Sequence, residues 1–85
     1  MISINPFVVT KTQQNEVFII LDNNVFHFQG IAKDIWNFIS EHDACINKDI
    51  LDFILNEYDV NEKKASKDIS KLLSQLEKED IITID

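Results

Sequence analysis

The first third of the chain consists of short apolar runs that are separated by polar residues. β-Branched and aromatic residues, which favour strands, concentrate at about 6–10, 16–21 and 25–28. The intervening residues 11–15 and 22–24 are mostly polar and include Asn and Asp, which are common in tight turns. This pattern predicts three consecutive antiparallel strands joined by short turns.

The spacing of apolar residues changes after Gly30 to the three- and four-residue spacing of amphipathic helices. This spacing predicts three helices at about 31–41, 47–58 and 62–79. Asn47 and Asn61 stand where the second and third helices begin, and asparagine is a favoured N-cap. The last apolar run, residues 81–84, is again typical of a short strand or a docked tail.

The order of these elements predicts an α+β fold with a winged helix-turn-helix-like architecture. A three-stranded antiparallel sheet is followed by three helices, and a tight turn at residues 59–61 separates the last two helices. Because no linker, repeat or low-complexity tract interrupts the chain, we expect residues 1–85 to form a single domain.

The second predicted strand is apolar on both of its faces. Val17, Ile19 and Leu21 lie on one face, whereas Phe18 and Ile20 lie on the other. Only one face can pack on the helices. The third strand is expected at an edge of the sheet, where unpaired backbone groups can accept an added strand. We therefore expect loops, the N-terminal residues or a second copy to cover these groups, or an extended peptide to dock there.

Composition and charge narrow the classes of function. The 85 residues include 8 Lys, no Arg and 15 Asp plus Glu, so the formal net charge is −7. A negative, Arg-free chain is poorly suited to nucleic acid or to an anionic membrane surface. A domain of this size buries only about 60–65% of its unfolded surface, so we expect no deep catalytic cavity. One cysteine, no signal-peptide pattern and no long apolar run lead us to expect a cytoplasmic protein.

The few residues capable of chemistry do not form a recognisable site. His42 and Cys45 are three positions apart and His27 is distant in sequence, whereas a zinc site needs about four convergent ligands. A nucleophile at Cys45 would need His42 as its base and a further orienting group. With one Gly, the chain has no phosphate-binding glycine loop. We therefore expect no catalytic residue, no metal and no cofactor.

The third predicted helix leaves one alternative function open. It carries five Lys, as the recognition helix of a winged-helix DNA-binding regulator would, but acidic residues interrupt them. The mixed charges also fit ordinary pairing of residues three or four apart on a solvent-exposed helix face. A DNA-binding regulator is therefore one alternative, and a homodimeric interaction domain that covers the apolar sheet is another.

Several short motifs follow one another in a familiar order. A small-residue start and an Ile-Trp pair occur at residues 30–39, and Tyr58-Asp59-Val60 ends the second helix. Within the third predicted helix, residues 68–76 form a segment that begins with Asp68 and carries the apolar stripe. In this order, residues 25–82 resemble the coenzyme PQQ synthesis protein D (PqqD) family. Its members are recognition elements for ribosomally synthesised and post-translationally modified peptides (RiPPs).

The chain departs from the family pattern at two places. His27-Phe28-Gln29 stands where the family often has Leu-Asn before the first helix. Asp80-Ile81-Ile82 replaces the usual Gly-Leu-Ile or Gly-Leu-Val ending. The resemblance therefore rests on order and spacing over about two thirds of the chain.

The resemblance implies a fold and a site. In the family, the leader peptide of a precursor is added as a strand beside the third strand, in a groove that the third helix completes. It also implies a modifying enzyme, a radical SAM enzyme or a peptidase, as second partner. We therefore expect a non-catalytic leader-peptide binding protein. On this sequence, the implied peptide-binding residues are Val25, Phe26, His27, Phe28, Lys64, Asp68, Lys71 and Leu72.

Overall fold

A computed structural model describes residues 1–42 and 45–85 of the chain. In these residues the order of elements is β1 (Ile2–Ile4), β2 (Val9–Gln13), β3 (Glu16–Leu21), β4 (Asn24–Phe28), α1 (Ile31–Glu41), α2 (Asn47–Glu57), α3 (Glu62–Lys78) and β5 (Ile82–Ile84). Strands β2, β3 and β4 form an antiparallel sheet in that order, and β1 pairs with β5 in a separate two-stranded sheet. The α+β class, with a three-stranded antiparallel sheet followed by three helices, is confirmed.

Two-residue turns set the register of the main sheet. Gln14 and Asn15, with φ of 51° and 66°, join β2 to β3, and Asp22, with φ of 56°, begins the turn to β4. Asn and Asp adopt this left-handed region at lower cost than most other side chains. The resulting register places Leu21 opposite Asn24.

The first strand of the main sheet lies at Val9–Gln13 rather than at the predicted residues 6–10. A turn occupies the earlier residues, because Asn5 Oδ1 accepts a hydrogen bond from the Phe7 N–H and the Asn5 carbonyl accepts one from the Val8 N–H. Pro6 has no N–H to offer a sheet. The polar residues assigned to a loop therefore form most of β2.

The chain termini pair with each other. Ile2 lies opposite Ile84 and Ile4 opposite Ile82, and the Met1 ammonium donates to the Asp85 carbonyl at 2.8 Å. The apolar run at residues 81–84 thus contributes a strand. The N-terminal residues, one of the possible covers for the second face of the main sheet, instead pair with β5 in a separate sheet.

The helix starts follow local hydrogen bonding. Asn61 is confirmed as the N-cap of α3, since its Oδ1 accepts from two backbone N–H groups of the first turn at 2.9 and 3.2 Å. Asn47 is not the cap of α2, because the helix already includes it. Instead, the Asp49 carboxylate accepts from the Ile46 N–H at 3.0 Å, which satisfies a donor ahead of the helix.

The three helices, β3 and the β1–β5 pair contribute buried residues to a shared apolar core, whereas all residues of β2 are exposed. Along β3, alternate residues are buried, beginning with Val17, which places this set against the helices. None of the helices in the described part of the chain combines the length and apolar character needed to cross a membrane. The buried residues are Ile2, Val17, Ile19, Leu21, Ile35, Trp36, Ile39, Cys45, Ile50, Ile54, Ala65, Ile69, Leu73, Leu76, Ile81 and Ile82.

Candidate functional site

Strand β4 has an open edge: among residues 1–42 and 45–85, it pairs with β3 alone. The two-residue turn makes Leu21 and Asn24 a hydrogen-bonded pair, and such pairs alternate along antiparallel strands. Phe26 and Phe28 therefore bond to β3. By the same alternation, Val25 and His27 direct their backbone N–H and C=O groups towards the open side, where a further strand can pair.

The β4 side chains divide between two faces. Phe26 and Phe28 lie opposite Ile19 and Val17, face the helices and pack partly buried against the core. The Phe28 ring centroid lies 6.2 Å from that of buried Trp36, at a tilted angle. These two phenylalanines form the inner wall beside the open edge.

Val25 and His27 lie on the outer face of the sheet. Val25 is 63% exposed, and the His27 ring stacks on Phe18 with a centroid distance of 4.7 Å. His27 Nε2 lies 3.4 Å from a Glu16 carboxylate oxygen. The backbone groups of Val25 and His27 therefore face the open edge, whereas their side chains lie on the face of the sheet that is directed away from the helices.

On α3, the implied residues lie along the border of the buried stripe. Lys64 and Asp68 form an exposed ion pair at 3.8 Å, and Leu72 continues their line one turn later. Leu72 is partly buried against the core, whereas Lys71 is exposed. This side of α3 therefore combines the apolar Leu72 with the charged side chains of Lys64 and Asp68 at its solvent-exposed border.

A small apolar cavity of about 90 Å³ connects this part of α3 with the start of α1. Ile31, only three residues after the end of β4, contributes one wall, and Lys64 and Asp68 contribute the rim. Lys64 and Asp68 therefore border the same cavity as Ile31, which follows the end of β4. Its complete lining is Ile31, Ile54, Val60, Lys64, Ala65, Asp68 and Ile69.

Sequence reasoning missed five of these lining residues. Ile31, Ile54, Ala65 and Ile69 fit the apolar helix stripes, and were therefore expected to be ordinary core positions. One signal was present: Ala65 is a small residue in a stripe that otherwise carries Ile and Leu. A small side chain at a buried position leaves space that its neighbours do not always fill.

A hydrogen bond between Tyr58 and Asp34 joins the end of α2 to the first turn of α1. The bond raises the pKa of the Tyr58 hydroxyl, with smaller contributions from burial and nearby acidic groups. Because α1 begins close to both β4 and the cavity, this bond helps to hold the walls of the site in place.

We expect replacement of Tyr58 by Phe to lower the free energy of unfolding by about 1 kcal/mol at neutral pH, the contribution of one hydrogen bond. Since the pKa of Tyr58 is raised in the folded protein, its stabilisation is full below pH about 10 and falls as the pH rises through the folded pKa. Urea unfolding at pH 8 and pH 11 should show a larger alkaline loss in the parent than in Tyr58→Phe. An equal loss in both proteins would contradict this role.

The Cys45 thiol and the His42 imidazole border a shared pocket beside α1 and α2. Cys45 is buried, and burial together with the Asp49 carboxylate raises the pKa of its thiol, so that it stays protonated at neutral pH. His42 stacks on Phe38 at 4.1 Å, and its Nδ1 lies 2.9 Å from the Phe38 carbonyl. Within residues 1–42 and 45–85, no three His, Cys, Asp or Glu side chains converge as metal ligands.

Comparison with known proteins identifies the fold independently. The sequence pattern of the family Coenzyme PQQ synthesis protein D (PqqD) matches residues 15–82, which is 68 of the 85 residues. Comparison with curated protein sequences gives no match.

Two solved structures are similar to this chain. TbiB1 in complex with the TbiA(beta) leader peptide has a TM-score of 0.85 and 22% identity, over 96% of this chain and 98% of that one. Lasso peptide synthetase B1 complexed with the leader peptide has a TM-score of 0.69 and 18% identity, over 98% of each chain. At these identities, the similarity establishes a shared fold.

Proposed function

The chain belongs to the PqqD family, and from this premise we propose that it binds the leader peptide of a RiPP precursor by β-strand addition to β4. The observation that carries the proposal is the open edge at which Val25 and His27 present unpaired backbone groups beside an apolar wall. Leader peptides are bound in the similar structures of TbiB1 and lasso peptide synthetase B1, which supports this assignment.

The two edges of the main sheet differ in their suitability for an added strand. Edge strand β2 carries Lys11 and ends in polar residues, and lysine on an edge strand discourages pairing with another chain. Strand β4 has no lysine and combines Phe26 and Phe28 with Val25. This asymmetry favours addition at β4.

An added strand at β4 would place alternate side chains of the peptide on opposite faces. Those directed inwards would lie beside Phe26 and Phe28 and near Leu72, and one apolar side chain would fill the cavity next to Ala65. Lys64, Asp68 and Lys71 would contact the peptide at the rim. Backbone pairing supplies sequence-independent affinity, and the cavity supplies selectivity.

The charge of the domain also bears on the ligand. With a net charge of −7, the surface attracts positively charged segments at long range. We therefore expect basic residues in the leader peptide, outside the apolar anchor, to speed association. This effect should weaken as salt is added.

The domain would act as a carrier. Residues 1–85, taken as one domain, would hold the leader in the cytoplasm and present the rest of the precursor to a modifying enzyme, a radical SAM enzyme or a peptidase. In this proposal the protein supplies binding and orientation, and the enzyme supplies the chemistry. It needs no cofactor of its own.

Titration with the leader peptide of the cognate precursor tests the proposal. We expect saturable 1:1 binding by calorimetry, with the amide resonance shifts concentrated at residues 25–28 and 64–72. A scrambled leader of the same composition is the control. Absence of binding, or shifts confined to other parts of the protein, would contradict the proposal.

A further inference from the structure

Two rings lie face to face on the outer side of the main sheet. Phe18 of β3 stands opposite His27 of β4, with ring centroids 4.7 Å apart and ring planes 12° from parallel. The centroid distance is close to the spacing of about 4.8 Å between neighbouring strands. The two rings therefore stack along the direction that leads from strand to strand and on towards the open edge.

One face of the His27 imidazole is free for a further contact. Phe18 covers the face on the β3 side, whereas the other face is directed towards the open edge, because within residues 1–42 and 45–85 strand β4 pairs with β3 alone. The His27 side chain is 40% exposed, and its Nε2 lies 3.4 Å from a Glu16 carboxylate oxygen. This contact limits rotation of the ring, so the free face is held at the place where a strand can be added.

A strand added at β4 would bring a side chain to this free face. His27 directs its backbone groups towards the open side, so that one residue of the added strand lies beside it. Neighbouring side chains of one row on adjacent strands have Cβ atoms about 4.5–5.5 Å apart. A planar side chain at that position would continue the stack that Phe18 and His27 begin.

The chemistry of the free face favours an aromatic ring in the added strand. Aromatic pairs prefer offset-stacked arrangements, and one such pair strengthens binding by roughly two- to twelvefold beyond the effect of the area it buries. Glu16 lies at Nε2, on the edge of the imidazole, so the carboxylate leaves the free face open. The same carboxylate disfavours an acidic side chain in the neighbouring strand.

The adjacent row of the outer face is aliphatic. Register places Val9, Ile20 and Val25 side by side across the three strands, and Val25 is 63% exposed. Because every second residue of a strand lies on the same face, the residue two positions from the aromatic one would lie beside Val25. Packing against cross-strand neighbours favours an aliphatic side chain there.

We propose, resting on the proposed function, that His27, backed by Phe18, is a specificity-determining residue that selects an aromatic side chain in the leader peptide. Val25 selects an aliphatic side chain two positions away. The paired segment of the leader therefore carries both groups on the outer face, in addition to the apolar anchor on the side of the helices. Because β4 runs from Val25 to His27, an antiparallel leader carries the aromatic residue first and a parallel leader carries it second.

A double-mutant cycle between His27 and the leader peptide of the cognate precursor tests the inference. Each residue of the leader is replaced in turn by alanine, and calorimetry measures the binding of every peptide to the parent and to His27→Ala. We expect His27→Ala to weaken binding of the unchanged leader about two- to twelvefold. One peptide, in which an aromatic residue is replaced, should lose the same factor with the parent and nothing further with His27→Ala. His27→Phe keeps a ring without the contact to Glu16, and should bind the leader within twofold of the parent.

The matched control is His42→Ala, which removes the same side chain at the end of α1 that is remote from β4 and should bind the leader as the parent does. If the leader shifts the β4 amide resonances but couples to His27 at no position, the specificity role is wrong while strand addition stands. Equal losses in His27→Ala and His27→Phe would assign the effect to the Glu16 contact and overturn the stacking. Tighter binding with arginine than with phenylalanine at the coupled position would overturn the choice of an aromatic ring. If the leader fails to bind the parent, the proposed function fails, and this inference fails with it.

Discussion

Replacement of Val25 by proline is expected to weaken leader binding by roughly 30- to 150-fold, or about 2–3 kcal/mol. The Val25 N–H faces the open edge, so proline removes a donor from the added strand and leaves a peptide carbonyl without its partner. The ladder to β3 keeps its hydrogen bonds, because those come from Phe26 and Phe28. Proline is tolerated on edge strands at such outward positions. Calorimetric titration of the leader measures the loss.

Two variants isolate the backbone contribution of Val25. Val25→Ala removes the side chain and keeps the N–H, so binding should fall less than fivefold. Thr12→Pro removes an outward N–H from β2, the opposite edge of the same sheet, and should leave binding unchanged. Equal losses in Val25→Pro and Val25→Ala would show that the peptide does not pair with β4. A large loss in Thr12→Pro would place the added strand at β2.

Local patterns were sufficient to predict the faces of the main elements. Alternation in β3 separates Val17 and Ile19 from Phe18 and Ile20, and burial follows that division. The helical stripe in α3 likewise predicts the burial of Ile69. Where one face of a strand is buried, a shift of its register by one residue would expose its apolar side chains to water. The sequence pattern therefore specifies which face is buried.

Long-range pairing was less accessible to sequence reasoning. No residue of β2 is buried, so no apolar alternation marks this strand in the sequence, and its pairing depends on the two-residue turn at Gln14 and Asn15. The β1–β5 pair joins residues that are 78 to 82 positions apart along the chain, from Ile4 with Ile82 to Ile2 with Ile84. No local pattern specifies such a partner.

The candidate site shows the same division. The order of motifs predicts that β4, Lys64 and Asp68 belong to the site, but it does not predict which backbone groups of β4 lack a partner in β3. That information comes from the turn at Asp22, which sets the hydrogen-bonding phase of the hairpin. The cavity was missed because its walls come from separate helices whose convergence depends on packing.

Replacement of Ala65 by Leu should separate peptide binding from stability. Ala65 is 5% exposed and borders the cavity of about 90 Å³, so a leucine places three further carbon atoms in the space proposed for the peptide's anchor. Excluding a buried apolar side chain costs about 1.5–3 kcal/mol, which corresponds to roughly 10- to 150-fold in Kd. Leucine is a strong helix former, and filling a void adds apolar contacts. Urea unfolding should therefore show equal or greater stability while calorimetry shows weaker binding.

The matched control for Ala65→Leu is Ser66→Leu, which adds a similar side chain at the next, exposed position of α3. It should bind the leader as the parent does. If Ala65→Leu destabilises the protein by more than about 1 kcal/mol through overpacking, the smaller Ala65→Val provides the same comparison. A stable Ala65 variant that binds the leader with parental affinity would show that the cavity is not the anchor site, even if strand addition at β4 is correct. The edge and the cavity are thus tested independently, because one variant removes a backbone donor and the other fills a space.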